Sequence, residues 1–240
     1  MILKKDNIIY EDERLIAFNK PAGLLSIPDR FGKEPSLKVL LQESGRKIFT
    51  VHRIDRDTSG VIVFAKDEDT HKALNQCFEQ RETTKIYFGL VAGKPINEEG
   101  SIDAPIAEDF RVLGKMMVHA KGKASLTDYK IIETFSSYTW LQFQIYTGRT
   151  HQVRVHAAHL GHSLICDGLY GNEQPLLLSA IKRKFKLGKY TENEHPLLSR
   201  LGLHAALLSF QLEDKNFEFE APLAKDLQVS LQQLRKWGKD

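Results

Sequence analysis

The sequence predicts an α+β fold with a mixed, largely antiparallel central sheet in two closely packed lobes with flanking helices. Segments with strand-like apolar patterns outnumber the segments with helical spacing. Strands and helices do not alternate regularly, as they do in proteins built from βαβ units. The chain has 240 residues, of which 42% are hydrophobic and 27% charged, so it can bury a large core.

The first half of the chain predicts strands joined by turns and two helices. Residues 7–10 and 15–18 flank the charged segment EDER, and the segment KPAG at 20–23 then interrupts regular structure. The predicted elements are strands at 7–10 and 15–18, a short helix capped by Ser36, a buried strand at 61–65, a helix at 68–80 and a strand at 86–92.

The second half predicts further strands and a closing helix. We expect Thr150 to cap a helix that runs through residues 151–161 and Gly161 to end it. A polar, basic insertion occupies residues 172–199. The remaining predicted elements are strands at 126–135, 138–146, 203–212 and 216–220, and an amphipathic helix after Pro222.

Composition and charge indicate which cellular compartment and which class of binding partner to expect. No segment approaches the roughly 20 apolar residues that span a bilayer, and the N-terminus lacks a signal-peptide pattern, so we expect a cytoplasmic protein. The two cysteines are too few for a disulfide framework or a cysteine zinc site. Residues 111–123 hold four basic residues and 182–189 hold five, without any acid. Such clustering suits a polyanion, with chance clustering on solvated loops as the alternative.

The segment HRIDRDTSGVIVFAK at residues 52–66 places Asp55 between two arginines, before an apolar run. A carboxylate beside a guanidinium group stays ionised at neutral pH and can act as a nucleophile or base. Residues 58–60 predict the turn that leads into the strand. One alternative is an ion pair that ties a loop to the strand. Another is an aspartyl phosphatase, although in that class the apolar strand precedes the acids.

Two further segments carry polar groups in positions suited to binding. The segment TGRTHQVRVH at 147–156 places Arg149 and Arg154 at the start of a predicted helix, which favours an anion site. The histidines at 151, 156, 159 and 162 offer a metal site as an alternative, which the neighbouring arginines disfavour. Lys85 and Tyr87 lie two apart on a predicted strand and so share a face, where the ring could stack on a nucleobase. An ordinary half-buried strand tyrosine is the alternative.

Three segments, HRIDRDTSGVIVFAK, ETTKIYFGLVAG and TGRTHQVRVHAAHLGHSLICDGLYG, resemble the successive motifs of the RluA-type RNA pseudouridine synthases. IIYEDERLIAFNKPAGLLS near the start and LGLHAALLSFQLEDKNFEFEAPL near the end are similar to that family too, so the resemblance covers nearly the whole chain. It implies the pseudouridine synthase fold with a catalytic cleft. It also implies isomerisation of specific uridines in structured ribosomal or transfer RNA, without a cofactor.

The resemblance assigns roles residue by residue. It implies that Asp55 is the catalytic carboxylate, that Arg149 pairs with it, and that Tyr87 stacks on the uracil of a flipped-out uridine. Attack on the sugar and removal of a sugar proton both stay open for the carboxylate. Arg53 matches the arginine that fills the space of the extruded nucleotide. The expected RNA contacts are His52, Arg53, Arg56, Thr58, Lys85, His151 and Arg154.

The expected organisation is a single pseudouridine synthase catalytic domain over residues 1–240, with the basic insertion 172–199 inside it. Family members often carry an N-terminal S4 domain, which we do not find in this sequence. We expect no metal and no membrane association, and take a monomer as the default. The alternative function is a non-catalytic RNA-binding or RNA-folding module on the same fold.

Overall fold

The computed structural model describes residues 5–29, 32, 34–187 and 193–239. Strand pairing within this part of the chain is mainly antiparallel, and a parallel pair makes the sheet mixed, which confirms the predicted α+β class. The elements are β1 (Ile8–Glu11), β2 (Leu15–Lys20), α1 (Leu37–Glu43), β3 (Phe49–Thr50), β4 (Ser59–Ala65), α2 (Glu68–Gln80), β5 (Thr83–Ala92), β6 (Glu99–Asp103), β7 (Ile106–Glu108), β8 (Met116–Val118), β9 (Leu126–Thr134), β10 (Tyr138–Ile145), α3 (Gln152–His159), β11 (Leu203–Leu212), β12 (Lys215–Glu220) and α4 (Lys225–Trp237).

The chain divides into two compact units. The first unit comprises Met1–Tyr87 and His204–Pro222, and the second comprises Phe88–Leu203 and Leu223–Asp240. The unit boundaries fall at the middle of β5, near the start of β11 and between β12 and α4. Asp55 and Tyr87 therefore belong to the first unit and Arg149 to the second. The expectation of a single catalytic domain stays a prediction.

Strand β4 is the centre of the first unit. It pairs antiparallel with β2 and parallel with β11. Its residues alternate between two hydrophobic clusters: Val61 and Val63 pack in a cluster with α2, β11 and β12, while Ile62 and Phe64 pack in a cluster with α1. All of its residues are buried. A strand covered on both faces needs a continuous apolar run, which is why this segment reads VIVFA instead of alternating with polar residues.

The second unit pairs β10 with β9 and β9 with β6, both antiparallel, and holds the separate hairpin β7–β8. Helix α4 covers the sheet with Leu227, Leu231 and Leu234, which pack in one cluster with Leu90 and Trp140. The three helix residues recur every three to four positions and form one apolar stripe. The short strands β6, β7 and β8 were not predicted from the sequence, because three to five residues show too little alternation.

Two local predictions are wrong, and both lie beside predicted functional residues. Thr150 does not cap α3, because His151 occupies the N-cap in the left-handed region at φ 56° and makes no side-chain cap. Residues 58–60 do not form a turn, since Ser59 and Gly60 already belong to β4. The predicted cap Ser36 is confirmed, because its side chain accepts a hydrogen bond from the Val39 N–H.

The described part of the basic segment 172–199 is anchored at its ends. Leu176 and Leu198 are buried and joined by backbone hydrogen bonds, with Leu176 N–H donating to the Leu198 carbonyl at 2.8 Å. Residues 188–192 of this segment lie outside the described residues. The interpretation of 172–199 as an insertion stays a prediction. None of the helices in the described ranges has the length and apolarity that a bilayer crossing requires.

Candidate active site

Asp55 lies on the loop between β3 and β4, and the backbone on both sides of it is held in place. The Ser26 hydroxyl donates to the Ile54 carbonyl at 2.7 Å, and the Ile54 N–H donates back to the Ser26 oxygen at 3.2 Å. On the other side, the Arg56 carbonyl accepts from the Gly23 N–H at 2.9 Å. A turn spans residues 55–58, in which the Thr58 N–H donates to the Asp55 carbonyl at 3.2 Å. A carboxylate on such a fixed loop is positioned before any substrate arrives.

Lys20 is a functional candidate that the sequence analysis missed. Its side chain is fully buried, and its ammonium donates to the carbonyls of Pro21, Leu24 and Arg56 at 3.0, 2.7 and 2.9 Å. The ammonium thereby ties the end of β2 to the residue that follows Asp55. A lysine is rarely buried without compensating partners. The available signal was a lysine directly after the strand residues LIAFN and before a proline.

Strand β4 approaches β11 closely directly after the Asp55 loop. Gly60 has φ 119°, and a Cβ added there would lie 2.0 Å from the Ala205 carbonyl oxygen. Only glycine fits this parallel contact. Thr58, predicted to contact RNA, is buried, and its hydroxyl has no hydrogen-bond partner among the described residues.

Tyr87 is a half-buried residue of β5 whose side chain packs against the cluster that holds Ile54, Val61 and Leu208. Burial raises the pKa of its phenol well above the ordinary value, and the negative charge of Asp55 raises that pKa further. The phenol is therefore neutral at physiological pH. The structure thus brings these two predicted residues into one electrostatic environment.

His52 and Lys85 both contact the ring of Phe78. The His52 imidazole stacks on Phe78 with centroids 4.8 Å apart, and the Lys85 ammonium lies 5.5 Å from the centre of the same ring. The Val63 N–H donates to His52 Nε2 at 3.0 Å, so this nitrogen carries a lone pair. Burial, aided by the charge of Lys85, lowers the pKa of His52 to about 3. Burial also lowers the pKa of Lys85, and the charge of Arg81 adds to this effect.

Arg149 is held by its own turn in the second unit. Its N–H donates to Gln152 Oε1 at 3.0 Å, and its Nε donates to the Ala124 carbonyl at 3.1 Å. The buried Gln152 also accepts from the Thr147 hydroxyl at 2.7 Å and donates to Thr127 Oγ1 at 2.9 Å. Gln152 therefore closes the turn that precedes α3, because its amide oxygen accepts the Arg149 N–H, while α3 itself has no side-chain cap. The pairing of Arg149 with Asp55 stays a prediction.

Arg154 is engaged inside the second unit. Its guanidinium binds Asp167 through Nε at 2.9 Å and Nη2 at 2.7 Å, and it lies 5.0 Å from the centre of the Tyr170 ring. The Arg154 side chain is 10% exposed and that of Asp167 is 0% exposed. The Tyr170 hydroxyl accepts from the Met116 N–H and lies 2.8 Å from His151 Nδ1. This buried pair does not favour the predicted RNA contact of Arg154, and Asp167 is the partner that the sequence analysis missed.

The remaining predicted RNA contacts, Arg53 and Arg56, lie at the surface, whereas His156, named in the alternative metal site, lies in the core. Arg53 is exposed, and Arg56 is exposed with its guanidinium 3.1 Å from Glu34. His156 is buried, with Nε2 2.9 Å from the Ala104 carbonyl and Nδ1 2.9 Å from Thr127 Oγ1. Burial lowers its pKa, so the ring is neutral. Within the described ranges, no group of three histidine, cysteine, aspartate or glutamate side chains is arranged to hold a metal ion.

The fold and the site can be compared with known proteins. The family model described as RNA pseudouridylate synthase matches residues 14–159. A ribosomal large subunit pseudouridine synthase C of Vibrio vulnificus is 36% identical over 236 residues, covering 96% of this chain and 70% of that protein. A ribosomal large subunit pseudouridine synthase D of Zymomonas mobilis is 32% identical, covering 95% and 72%. The human RNA pseudouridylate synthase domain containing 4 shares the fold, with a TM-score of 0.72 over 96% of this chain and 93% of its own, at 24% identity.

The chain belongs to the RNA pseudouridylate synthase family, of the RluA type. It is an isomerase that converts uridine to pseudouridine in RNA.

Proposed function

We propose that this enzyme isomerises specific uridines in structured ribosomal or transfer RNA, with Asp55 as the catalytic carboxylate acting on a flipped-out uridine. The observation that carries the proposal is the fixed loop at Asp55, held by Ser26 and Lys20, in one electrostatic environment with the Tyr87 ring. The relatives named for the ribosomal large subunit make its RNA the first substrate to test.

The proposed chemistry uses each side chain in a separate way. A uridine inside a helix is out of reach, so it must leave the stack at a cost of a few kcal/mol. The Tyr87 ring offers a surface on which the extruded uracil stacks, and its neutral phenol adds no charge beside Asp55. Asp55 acts at the sugar or at a sugar proton, and both routes require the ionised carboxylate. Arg149 is proposed to stabilise that charge when the substrate excludes water.

The test compares two carboxylates of the same loop. Asp55→Asn removes the proposed catalytic group, and Asp57→Asn is the matched control because Asp57 is exposed two residues away. Both variants are assayed for pseudouridine formation in ribosomal and transfer RNA from cells that lack the protein. We expect Asp55→Asn to lose at least about a thousandfold in rate while it still binds the RNA, and Asp57→Asn to stay within a few-fold of wild type.

Undiminished conversion by Asp55→Asn would refute the catalytic role of Asp55. Mapping the converted uridines in the same RNA samples identifies the substrate. Conversion confined to RNA species other than ribosomal and transfer RNA would refute the proposed substrate class.

A further inference from the structure

The C-terminal end of α4 carries a basic aromatic surface that the proposed chemistry does not use. Trp237 is 38% exposed, although tryptophan is usually covered. The Lys182 ammonium lies 4.6 Å and the Lys236 ammonium 5.0 Å from the centre of its ring. The Trp237 patch consists of this ring and the basic residues around it: Lys182, Arg183, Lys184, Lys186, Lys236 and Trp237.

The fold holds the two halves of the patch together. Lys182 and its neighbours come from the loop after Leu176, and Lys236 and Trp237 come from α4. Ile181 packs against the hydrophobic cluster that contains Leu231 and Leu234, which docks the loop on the helix. Arg183, Lys184 and Lys186 are exposed beside this anchor. Hydrophobic packing therefore brings the loop residues of the patch to the end of α4, although the two segments are distant in the sequence.

Two acids lie near the basic residues of the patch. Glu194 Oε1 accepts from the Ser179 N–H at 2.8 Å, three residues before Lys182. Glu133 binds Arg235 at 2.8 Å and Lys239 at 3.2 Å, two further basic residues at the same end of α4. The cations of the patch come in addition to these pairs. An exposed indole with two ammonium groups near its ring matches a nucleic acid, since phosphates pair with the ammonium groups and a base can stack on the exposed part of the ring.

The patch lies far from Arg149 within the second unit. The Gly238 carbonyl next to Trp237 accepts from the Ser136 N–H at 2.7 Å, and Ser136 precedes β10. Arg149 follows the other end of β10, which is eight residues long. At roughly 3.3 Å per residue, the two places are separated by on the order of 26 Å. An RNA that reaches both must extend well beyond the modified loop.

We infer that the Trp237 patch is a second RNA-binding surface, which holds the phosphate backbone of a folded RNA at a distance from the modified uridine. The inference rests on the proposed function, because it takes the RNA substrate as the occupant. The Trp237 patch would favour large folded RNA over short stem-loops as substrates, because only a large RNA can reach both the patch and Arg149.

The test uses transcribed large-subunit ribosomal RNA and the intrinsic fluorescence of the wild-type enzyme. The sequence has two tryptophans, and Trp140 is only 4% exposed, so a ligand that quenches fluorescence reports on Trp237. We expect the RNA to quench the signal in wild type and not in Trp237→Leu. In the double variant Lys182→Ala and Lys236→Ala, we expect about tenfold weaker binding, and a salt dependence of log K smaller by about 2.

Lys225→Ala is the matched control, because Lys225 is an exposed lysine at the other end of α4. It is expected to bind like wild type. Equal binding by the double variant and the control would overturn the inference. So would quenching by anionic phosphatidylglycerol vesicles but not by RNA, which would identify a membrane surface instead. Asp55→Asn must retain the quenching, so a failure of catalysis and a failure of the patch are distinguishable.

Discussion

The phenol of Tyr87 has a raised pKa and stays neutral at physiological pH. Burial is the first cause of its raised pKa, and the charge of Asp55 is the second. A neutral phenol in a half-buried position offers an aromatic face and one hydroxyl group. If stacking is its main contribution, the ring matters more than the hydroxyl.

We therefore expect Tyr87→Phe to retain at least about fivefold more pseudouridine formation than Tyr87→Leu, because stacking of a base on an aromatic ring contributes about 1–3 kcal/mol. The measurement is single-turnover conversion at saturating enzyme, which separates chemistry from product release. The two variants are similar in apolarity, so each serves as a control for the other. Equal rates for Phe and Leu would exclude stacking as the main role of the ring.

Strand β4 joins the Asp55 loop to the core of the first unit. Its parallel contact with β11 pairs Gly60 with Ala205 and Ser59 with His204. The buried His204 supports this contact, with Nδ1 2.9 Å from the Ser59 hydroxyl and Nε2 3.1 Å from the Ala221 carbonyl. The geometry at Gly60 leaves no room for a side chain. The start of the strand therefore sets where the Asp55 loop can lie.

Gly60→Ala is expected to lower the free energy of unfolding by more than about 3 kcal/mol, because the added methyl group meets backbone and the residue is held at positive φ. Gly45→Ala is the matched control, since Gly45 has φ 87° and open space around it. Only backbone strain acts there, and the expected loss is about 1 kcal/mol. Urea denaturation of both variants measures the difference. Similar losses at both positions would show that the close approach to Ala205 relaxes without cost.

Histidines whose pKa is lowered in the folded protein link its stability to pH. The pKa of His52 is about 3 in the folded protein against an ordinary value of 6.5. Between these values the unfolded chain binds a proton that the folded protein does not, so stability is lost as the pH falls. The contribution is fully present above pH 6.5. The lowered pKa of His156 acts in the same direction.

His52→Gln removes this titration while its amide oxygen can still accept from the Val63 N–H. Between pH 7.5 and pH 5, wild type is expected to lose up to about 2 kcal/mol more unfolding free energy than the variant. Urea denaturation at the two pH values gives this difference directly. If the variant loses as much stability as wild type, His52 does not contribute to the acid sensitivity.

Hydrophobic patterns along the chain were sufficient for most of the elements. The run at 61–65 predicted a buried strand, and residues 68–80 predicted α2 with both ends correct. The strands β6 to β8 were missed because they are short. The chemistry of Asp55 and Tyr87 could be proposed from residue types and motif order. The contacts that hold the Asp55 loop in place could not be predicted from the sequence. Lys20 lies 35 positions from Asp55 in the sequence, and its three carbonyl partners are visible only in the folded chain.

The sequence by itself determined the α+β class, the family and the residues that could carry the chemistry, because apolar periodicity and motif spacing are local properties of a chain. Only the tertiary structure decided which polar groups are engaged. Arg154 was predicted to bind an anion and is buried against Asp167. Thr150 was predicted to cap α3, whose N-cap is His151, and the Arg149 N–H donates to Gln152. Charged and polar side chains take their partners from distant segments. The packing that brings those segments together therefore decides which groups support the fold and which can meet RNA.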